Sequence, residues 1–287
     1  MKILLVGGSG QLGRTIQDVF KSFHPEWIVV APDSMTLNLR MTEITSSLMR
    51  EAMSSFDTII NCAAIHDAKE AEDLQRTWDV NVRGIGLLAR YAPRVKFIQI
   101  STDNVFFNRG SFWWRPNELD EPNQSAANYS ISKACAEDIV RAFYRFGKFS
   151  IVRVSALFGH YPCRGKDRPN FVEQVLAKIQ SGETIELPDD QGCTPGYTID
   201  VAHLIAGIIL SEYNSGIIHA VPNQLPKDFS FYKFGRMVAT VAGLDPELVV
   251  KKQGLSSGGV GRVNLTSIRH ICLPSLEGAI ERYLKLR

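Results

Sequence analysis

Apolar and polar positions alternate along the first half of the chain in two textures. Lys2 to Val6, Trp27 to Ala31, Asp57 to Asn61, Val95 to Ser101 and Phe149 to Ser155 are short runs dominated by apolar residues. Runs such as Thr58-Ile-Ile60 and Phe97-Ile-Gln-Ile100 suit strands buried on both faces, as in a parallel sheet. Between them, Arg14 to Phe23, Glu43 to Met53 and Leu74 to Tyr91 have helical spacing, the first through Ile16, Val19, Phe20 and Phe23. Strand and helix in strict succession predict an α/β protein with a doubly wound parallel sheet.

The helix opening at Ser125-Ala-Ala-Asn-Tyr129 has two faces. Ile131, Cys135, Ile139, Ala142 and Phe146 form an apolar stripe, the expected packed face, while Tyr129, Lys133, Ala136 and Val140 lie on another. Phenol and ammonium therefore sit one turn apart. A cation within ~4–6 Å favours phenolate and lowers the phenol pKa, so such a Tyr can exchange a proton with a carbonyl or alcohol near neutral pH. Tyr and Lys four apart also occur on ordinary helix surfaces, so the pair takes its meaning from the rest of the chain.

After Ser155 the texture changes. Phe158 to Asn170 is rich in Gly, Pro, Arg and Lys; helices are predicted over Phe171 to Ser181, stopped by Gly182, then Val201 to Ser211 and Phe229 to Ala242. A last amphipathic helix carries Leu276, Ala279, Ile280, Tyr283 and Leu284. The expected organisation is a sheet domain of residues 1–155 and 199–217, and a small discontinuous lobe of 156–198 and 218–275. Residues 276–287 form the terminal helix.

Composition narrows the function classes. The 287 residues have a net charge of +2 and no long basic run, which gives no support to nucleic-acid binding. Five scattered cysteines without a CxxC pair point to a reducing compartment, and Cys62 with His66 lacks the second ligand pair a metal site needs. Met1 to Val6 is too short for a signal-peptide core, and Val201 to Leu210 is too short to span a bilayer. The expectation is a cytoplasmic protein that binds no membrane and no metal.

Gly7-Gly-Ser-Gly10-Gln-Leu-Gly13 follows the first strand and opens the first helix. In that order the glycines allow a tight turn and close approach of a pyrophosphate to the helix N-terminus. Asp33, twenty residues after Gly13, is placed to accept ribose hydroxyls and favour NAD, or is a plain turn residue. Arg14 is the alternative, a partner for the 2′-phosphate of NADP. Asn61 to Ala64 and Ser101 to Asn104 lie just beyond strand ends, where ligands of such sheets bind. Thr102, Tyr129 and Lys133 would make a working set for hydride transfer to a carbonyl.

With these motifs the chain resembles the extended short-chain dehydrogenase/reductases, and among them most closely the dTDP-4-dehydrorhamnose reductases. The resemblance rests on the glycine loop, Leu37-Asn38-Leu39, Asn61-Cys-Ala-Ala64, Val80-Asn81, Ser101-Thr-Asp-Asn-Val-Phe106, Tyr129-Ser-Ile-Ser-Lys133, Asn170-Phe171 and Asp190-Gln191 through Pro195. It implies a Rossmann domain that binds NAD or NADP through Gly7, Gly10, Gln11, Leu12, Gly13, Asp33, Asn38, Leu39, Cys62, Ala63, Ala64, Asn81, Tyr129 and Lys133. It implies Thr102, Tyr129 and Lys133 as catalytic residues. Asp103, Asn104, Arg168 and Asn170 are the expected contacts of a nucleotide-sugar, with Arg164 and Lys166 beside Arg168 as diphosphate ligands or as a solvated turn. A homodimer is compatible with the resemblance.

Departures from the family pattern fall toward the substrate. His66 and Lys69 stand where the reductases carry Thr and Asp; Asn104 replaces Tyr, and Ala156 an aromatic residue. A 4,6-dehydratase needs an Asp-Glu pair after the Thr, and an amide at Asn104 cannot abstract a proton. Reduction of a 4-keto-6-deoxy-sugar is the leading expectation. A sugar epimerase and a non-catalytic dinucleotide-binding regulatory subunit remain as alternatives.

Overall fold

The structure is a computed structural model that describes residues 1–40, 47–66, 70–108, 110–123, 127–144, 148–163, 169–211, 215–252, 261–269 and 271–287. Lys69, Phe146 and the basic residues Arg164, Lys166 and Arg168 lie outside the described residues.

Strands β1 (Lys2–Val6), β2 (Ile28–Val30), β3 (Thr58–Asn61), β4 (Lys96–Thr102) and β5 (Phe149–Phe158) lie side by side in the order β2-β1-β3-β4-β5, every pair parallel. Successive residues of a strand point to opposite faces, so an unbroken apolar run feeds two cores. Ile3 and Leu5 join Ile16 and Phe20 of α1 (Gln11–Phe23) on one face. Leu4 and Val6 join a second cluster on the other face, with Ile85 and Leu88 of α4 (Gly84–Tyr91) and Val140 of α5 (Asn128–Phe143). Each such side chain contributes ~1.5–3 kcal/mol on full burial. This is the doubly wound parallel sheet expected from the sequence.

Two predicted helices differ in detail. The first is described from Ser47 as α2 (Ser47–Ser54), with 41–46 outside the described residues. The second, Leu74 to Tyr91, is interrupted. Between α3 (Leu74–Trp78) and α4 the backbone makes a π turn over Asp79–Arg83. Gly84 follows it closely packed on Leu39, where an added Cβ would stand 2.7 Å from the Leu39 Cβ.

β5 is the hinge of the topology. Its first half pairs with β8 (Gly216–His219) at the sheet edge. Beyond Ser155 its register shifts, Ala156 takes a φ of 40°, and the strand turns to pair with β7 (Pro195–Tyr197). Past this bend a third apolar cluster gathers Phe158, Leu176 of α6 (Phe171–Gln180), Phe234 of α8 (Phe231–Val241) and Ile280 and Tyr283 of α9 (Leu276–Lys285). A two-stranded sheet of β6 (Ile185–Leu187) and β9 (Val249–Lys251) lies beside it, and Leu187 and Val249 belong to the same cluster. α7 (Thr198–Leu210) returns to the sheet and covers the α1 face. No helix among the described residues is long and apolar enough to cross a membrane.

Candidate active site

A cavity of about 730 Å³ opens at the carboxyl ends of β1, β3, β4 and β5. Gln11 and Leu12 line it from the start of α1, Cys62 and Ala64 from the end of β3, and Thr102, Asp103 and Asn104 from the end of β4. Tyr129 and Lys133 enter from α5, and Asn170 from the start of α6. Sequence positions 11 to 170 thus converge because parallel strands all deliver their carboxyl ends to one edge.

The glycine loop reaches the cavity through Gln11 and Leu12. Gly7 has a φ of 79°, and a Cβ there would fall 2.5 Å from the Ala63 amide nitrogen. At Gly13 a Cβ would stand 2.4 Å from the Gly7 carbonyl oxygen, so the loop closes on itself only with glycine. Gly10 precedes α1 without a side-chain cap. Gln11, 7% exposed, has an Nε2 without a hydrogen-bond partner.

Tyr129 and Lys133 lie on the buried side of α5, which corrects the expected packing of that helix. Lys133, Ala136, Glu137 and Val140 are buried, whereas Ile131, Cys135 and Ile139 are only half-buried and Ala142 is exposed. A lysine tolerates this position because its surroundings answer the charge. Lys133 Nζ donates to the Ile100 carbonyl at 2.7 Å, and Glu137 and Cys62 act on it electrostatically. Burial outweighs them and brings the Lys133 pKa down to about 8. Tyr129 moves the other way: burial raises its pKa, the Thr102 hydroxyl opposes the rise, and Asp103 and Cys163 add to it. The expected lowering of Tyr129 by Lys133 is not what the geometry gives, since the ammonium is turned to the Ile100 carbonyl.

Thr102 Oγ1 donates to Asp103 Oδ1 at 3.2 Å and accepts from Asn104 Nδ2 at 3.0 Å. The Ser155 hydroxyl donates to the other Asp103 oxygen. Burial raises the Asp103 pKa against these hydrogen bonds. Asn104 therefore serves the network that orients Thr102. On the far side, Asn170 caps α6 by accepting from the Glu173 amide at 3.1 Å, and its Nδ2 donates to the Gly159 carbonyl at 2.9 Å and the Tyr283 hydroxyl at 3.1 Å.

Behind α5 runs a buried network that sequence reasoning missed. Arg153 and Glu137, both fully buried, form a bidentate pair with contacts of 3.0 and 2.6 Å, and Ser101 Oγ donates to Glu137 at 2.5 Å. Arg153 Nη1 faces His219 Nε2 at 3.2 Å, while His219 Nδ1 meets the Thr266 carbonyl at 2.8 Å. A carbonyl only accepts, so the proton sits on Nδ1 and Nε2 accepts from the guanidinium. The available signal was the spacing: Glu137 lies one turn beyond Lys133, on the Tyr129 side of the helix. A second unforeseen contact joins His66 Nε2 and Cys163 Sγ at 3.1 Å, both on the cavity wall.

Other expected ligands lie elsewhere. Asp33 is exposed, and its Oδ1 accepts from the amides of Met35 and Thr36 at 3.1 and 2.8 Å, the turn alternative. Asn38 accepts from the Arg40 amide, and Leu39 is buried in the core. Asn81 is buried and braces the wall: it accepts from the Ile65 amide and donates to the Ile65 carbonyl and the Ser132 hydroxyl. Among the described residues no group of His, Cys, Asp or Glu could hold a metal ion.

A family model described as the RmlD substrate binding domain matches residues 1–254. The chain belongs to this family. It is 25% identical over 253 residues to the spore coat polysaccharide biosynthesis protein SpsK of Bacillus subtilis, covering 86% of this chain and 82% of that one. It is 27% identical over 254 residues to a dTDP-4-dehydrorhamnose reductase of Mycolicibacterium smegmatis, covering 86% and 71%. The crystal structure of a dTDP-4-dehydrorhamnose reductase ortholog from Clostridium acetobutylicum matches 100% of this chain and 99% of its own, with 25% identity and a TM-score of 0.80. As a member of the RmlD family the chain is an oxidoreductase of the short-chain dehydrogenase/reductase type. Its own residues fit a dinucleotide. Gly7, Gly8 and Gly13 have no room for a Cβ, and the unpaired Gln11 amide and the Lys133 ammonium line the adjoining cavity.

Proposed function

We propose that the protein reduces the C4 carbonyl of a nucleotide-linked 4-keto-6-deoxy-sugar, with Thr102, Tyr129 and Lys133 as catalytic residues. The observation that carries this reading is the shared cavity. It brings Thr102, Tyr129 and Lys133, from β4 and α5, beside Gln11 and Leu12 of the glycine loop. When bound, the dinucleotide supplies the hydride. Gly7, Gly10 and Gly13 would admit its pyrophosphate, and Lys133 would hold its nicotinamide ribose. The Thr102 hydroxyl, oriented by Asp103 and Asn104, would align the substrate oxygen. Tyr129 would protonate the developing alkoxide, and burial keeps its phenol in the acid form that this step needs. The departures at His66, Asn104 and Ala156 all line the same cavity, which favours a sugar different from that of the relatives.

The test is a screen of dTDP-, GDP- and UDP-linked 4-keto-6-deoxy-sugars with NADH and NADPH. One substrate should turn over, and Tyr129→Phe should lower kcat by about 10²–10⁴ with dinucleotide affinity unchanged. Turnover that survives Tyr129→Phe would reject the proton donor. Tight dinucleotide binding with no turnover of any substrate would favour a regulatory binder instead.

A further inference from the structure

The wall of the cavity carries a pair of groups that the proposed reduction leaves unused. His66 follows β3 and Cys163 follows β5, and the parallel sheet delivers both strand ends to one edge. His66 Nε2 lies 3.1 Å from Cys163 Sγ, and both side chains line the cavity. An imidazole at that distance takes the proton of a thiol, and the resulting thiolate is the nucleophilic form of cysteine. The imidazolium beside it then favours the negative charge. The sulfur is also close enough to Tyr129 for its charge to act on the phenol. Among the described residues, the other titratable groups on this wall are Cys62, Glu72, Asp103, Tyr129 and Lys133.

The remaining cysteines are differently placed. Cys62 shares the cavity, but burial pushes its thiol up to about 12 and keeps it protonated. Burial also raises Cys135 and Cys193. Cys272 is exposed and serves as a reference thiol within the same chain. Cys163 combines partial exposure, a cavity and an imidazole at hydrogen-bonding distance.

We propose that Cys163 and His66 form a reactive-thiol site that takes hydroperoxides. The thiolate attacks one peroxide oxygen, so an S–O bond forms as the O–O bond breaks. Sulfur gives up two electrons and becomes a sulfenic acid. The departing oxygen takes those electrons and the His66 proton, and leaves as water or an alcohol. The added oxygen lands on the cavity wall that also carries Tyr129. This chemistry uses neither dinucleotide nor sugar, so it stands or falls independently of the reduction proposed above.

Labelling of the intact protein with iodoacetamide between about pH 6 and 9, quantified at each cysteine by peptide mass spectrometry, tests the pairing. An ordinary thiol has a pKa of about 8.5, so its thiolate falls about tenfold for each pH unit below that. A preformed thiolate keeps its population, although its lower basicity makes it a somewhat weaker nucleophile. At about pH 6 Cys163 should therefore react at least about tenfold faster than Cys272, with a rate nearly flat up to about pH 8. His66→Gln should lower the Cys163 rate at about pH 6 by about tenfold or more and leave the Cys272 rate unchanged. Hydrogen peroxide followed by dimedone should tag Cys163 first, and Cys163→Ser should remove that tag. A wild-type Cys163 rate that climbs with pH in parallel with Cys272 overturns the proposal, whether or not His66→Gln folds. A dimedone tag that appears on Cys272 or Cys62 before Cys163 overturns it as well.

Discussion

Lys133 is 4% exposed, rests on the Ile100 carbonyl, and has a pKa of about 8 because burial outweighs the pull of Glu137 and Cys62. Its charge is present below that value and is lost as pH rises through it. If the ammonium holds the dinucleotide, affinity should weaken on the alkaline side with a midpoint about 8. Lys133→Arg should move that limb upward, since a guanidinium stays charged. Dinucleotide binding followed from pH 6 to 10 checks this, and a profile flat through 9 in wild type would remove Lys133 from that role. The Tyr129/Lys133 spacing was legible because one helical turn separates them. The direction of each pKa was not, because it depends on Ile100, Asp103 and Cys62, which the fold brings from other segments.

At the scale of elements, the glycine loop and α1 stand or fall together. Gly13→Val would put side-chain atoms against the Gly7 carbonyl oxygen, 2.4 Å from the first added carbon. Overpacking of this kind costs about 1–3 kcal/mol. The variant should melt lower and lose most of its affinity for both dinucleotides, as calorimetry and fluorescence titration would show. Undiminished affinity would contradict the placement of the pyrophosphate. The strands and this loop could be read from sequence because a strand buried on both faces leaves an unbroken apolar run. α5 was harder. Its half-exposed side is the apolar one, and its buried side carries Lys133 and Glu137, whose partners Ile100, Ser101 and Arg153 come from β4 and β5. The π turn at Asp79–Arg83 breaks no apolar periodicity, so nothing in the pattern marks it.

Across the whole molecule, β4, α5, β5, β8 and the segment after 261 meet at Glu137, Arg153 and His219. Burial, with Arg153 adding to it, lowers the His219 pKa from 6.5 to about 4. The unfolded chain therefore binds a proton that the folded one does not between those values, and stability falls as pH drops through that window. His219→Gln should flatten the pH dependence of the melting temperature between pH 4 and 6.5, at the expense of lower stability at pH 7. An unaltered slope would place the acid sensitivity in other groups.

The cluster beyond the bend of β5 draws on residues from Phe158 to Tyr283, so its assembly waits on α9. The sheet strands β1 to β5 are all present once residue 158 has been synthesised, but the aromatic side of that last strand has no complete cover until α9 emerges. A nascent chain would carry Phe158, Phe171 and Phe234 incompletely covered until α9 emerges. That interval is when chaperone capture or aggregation competes with folding.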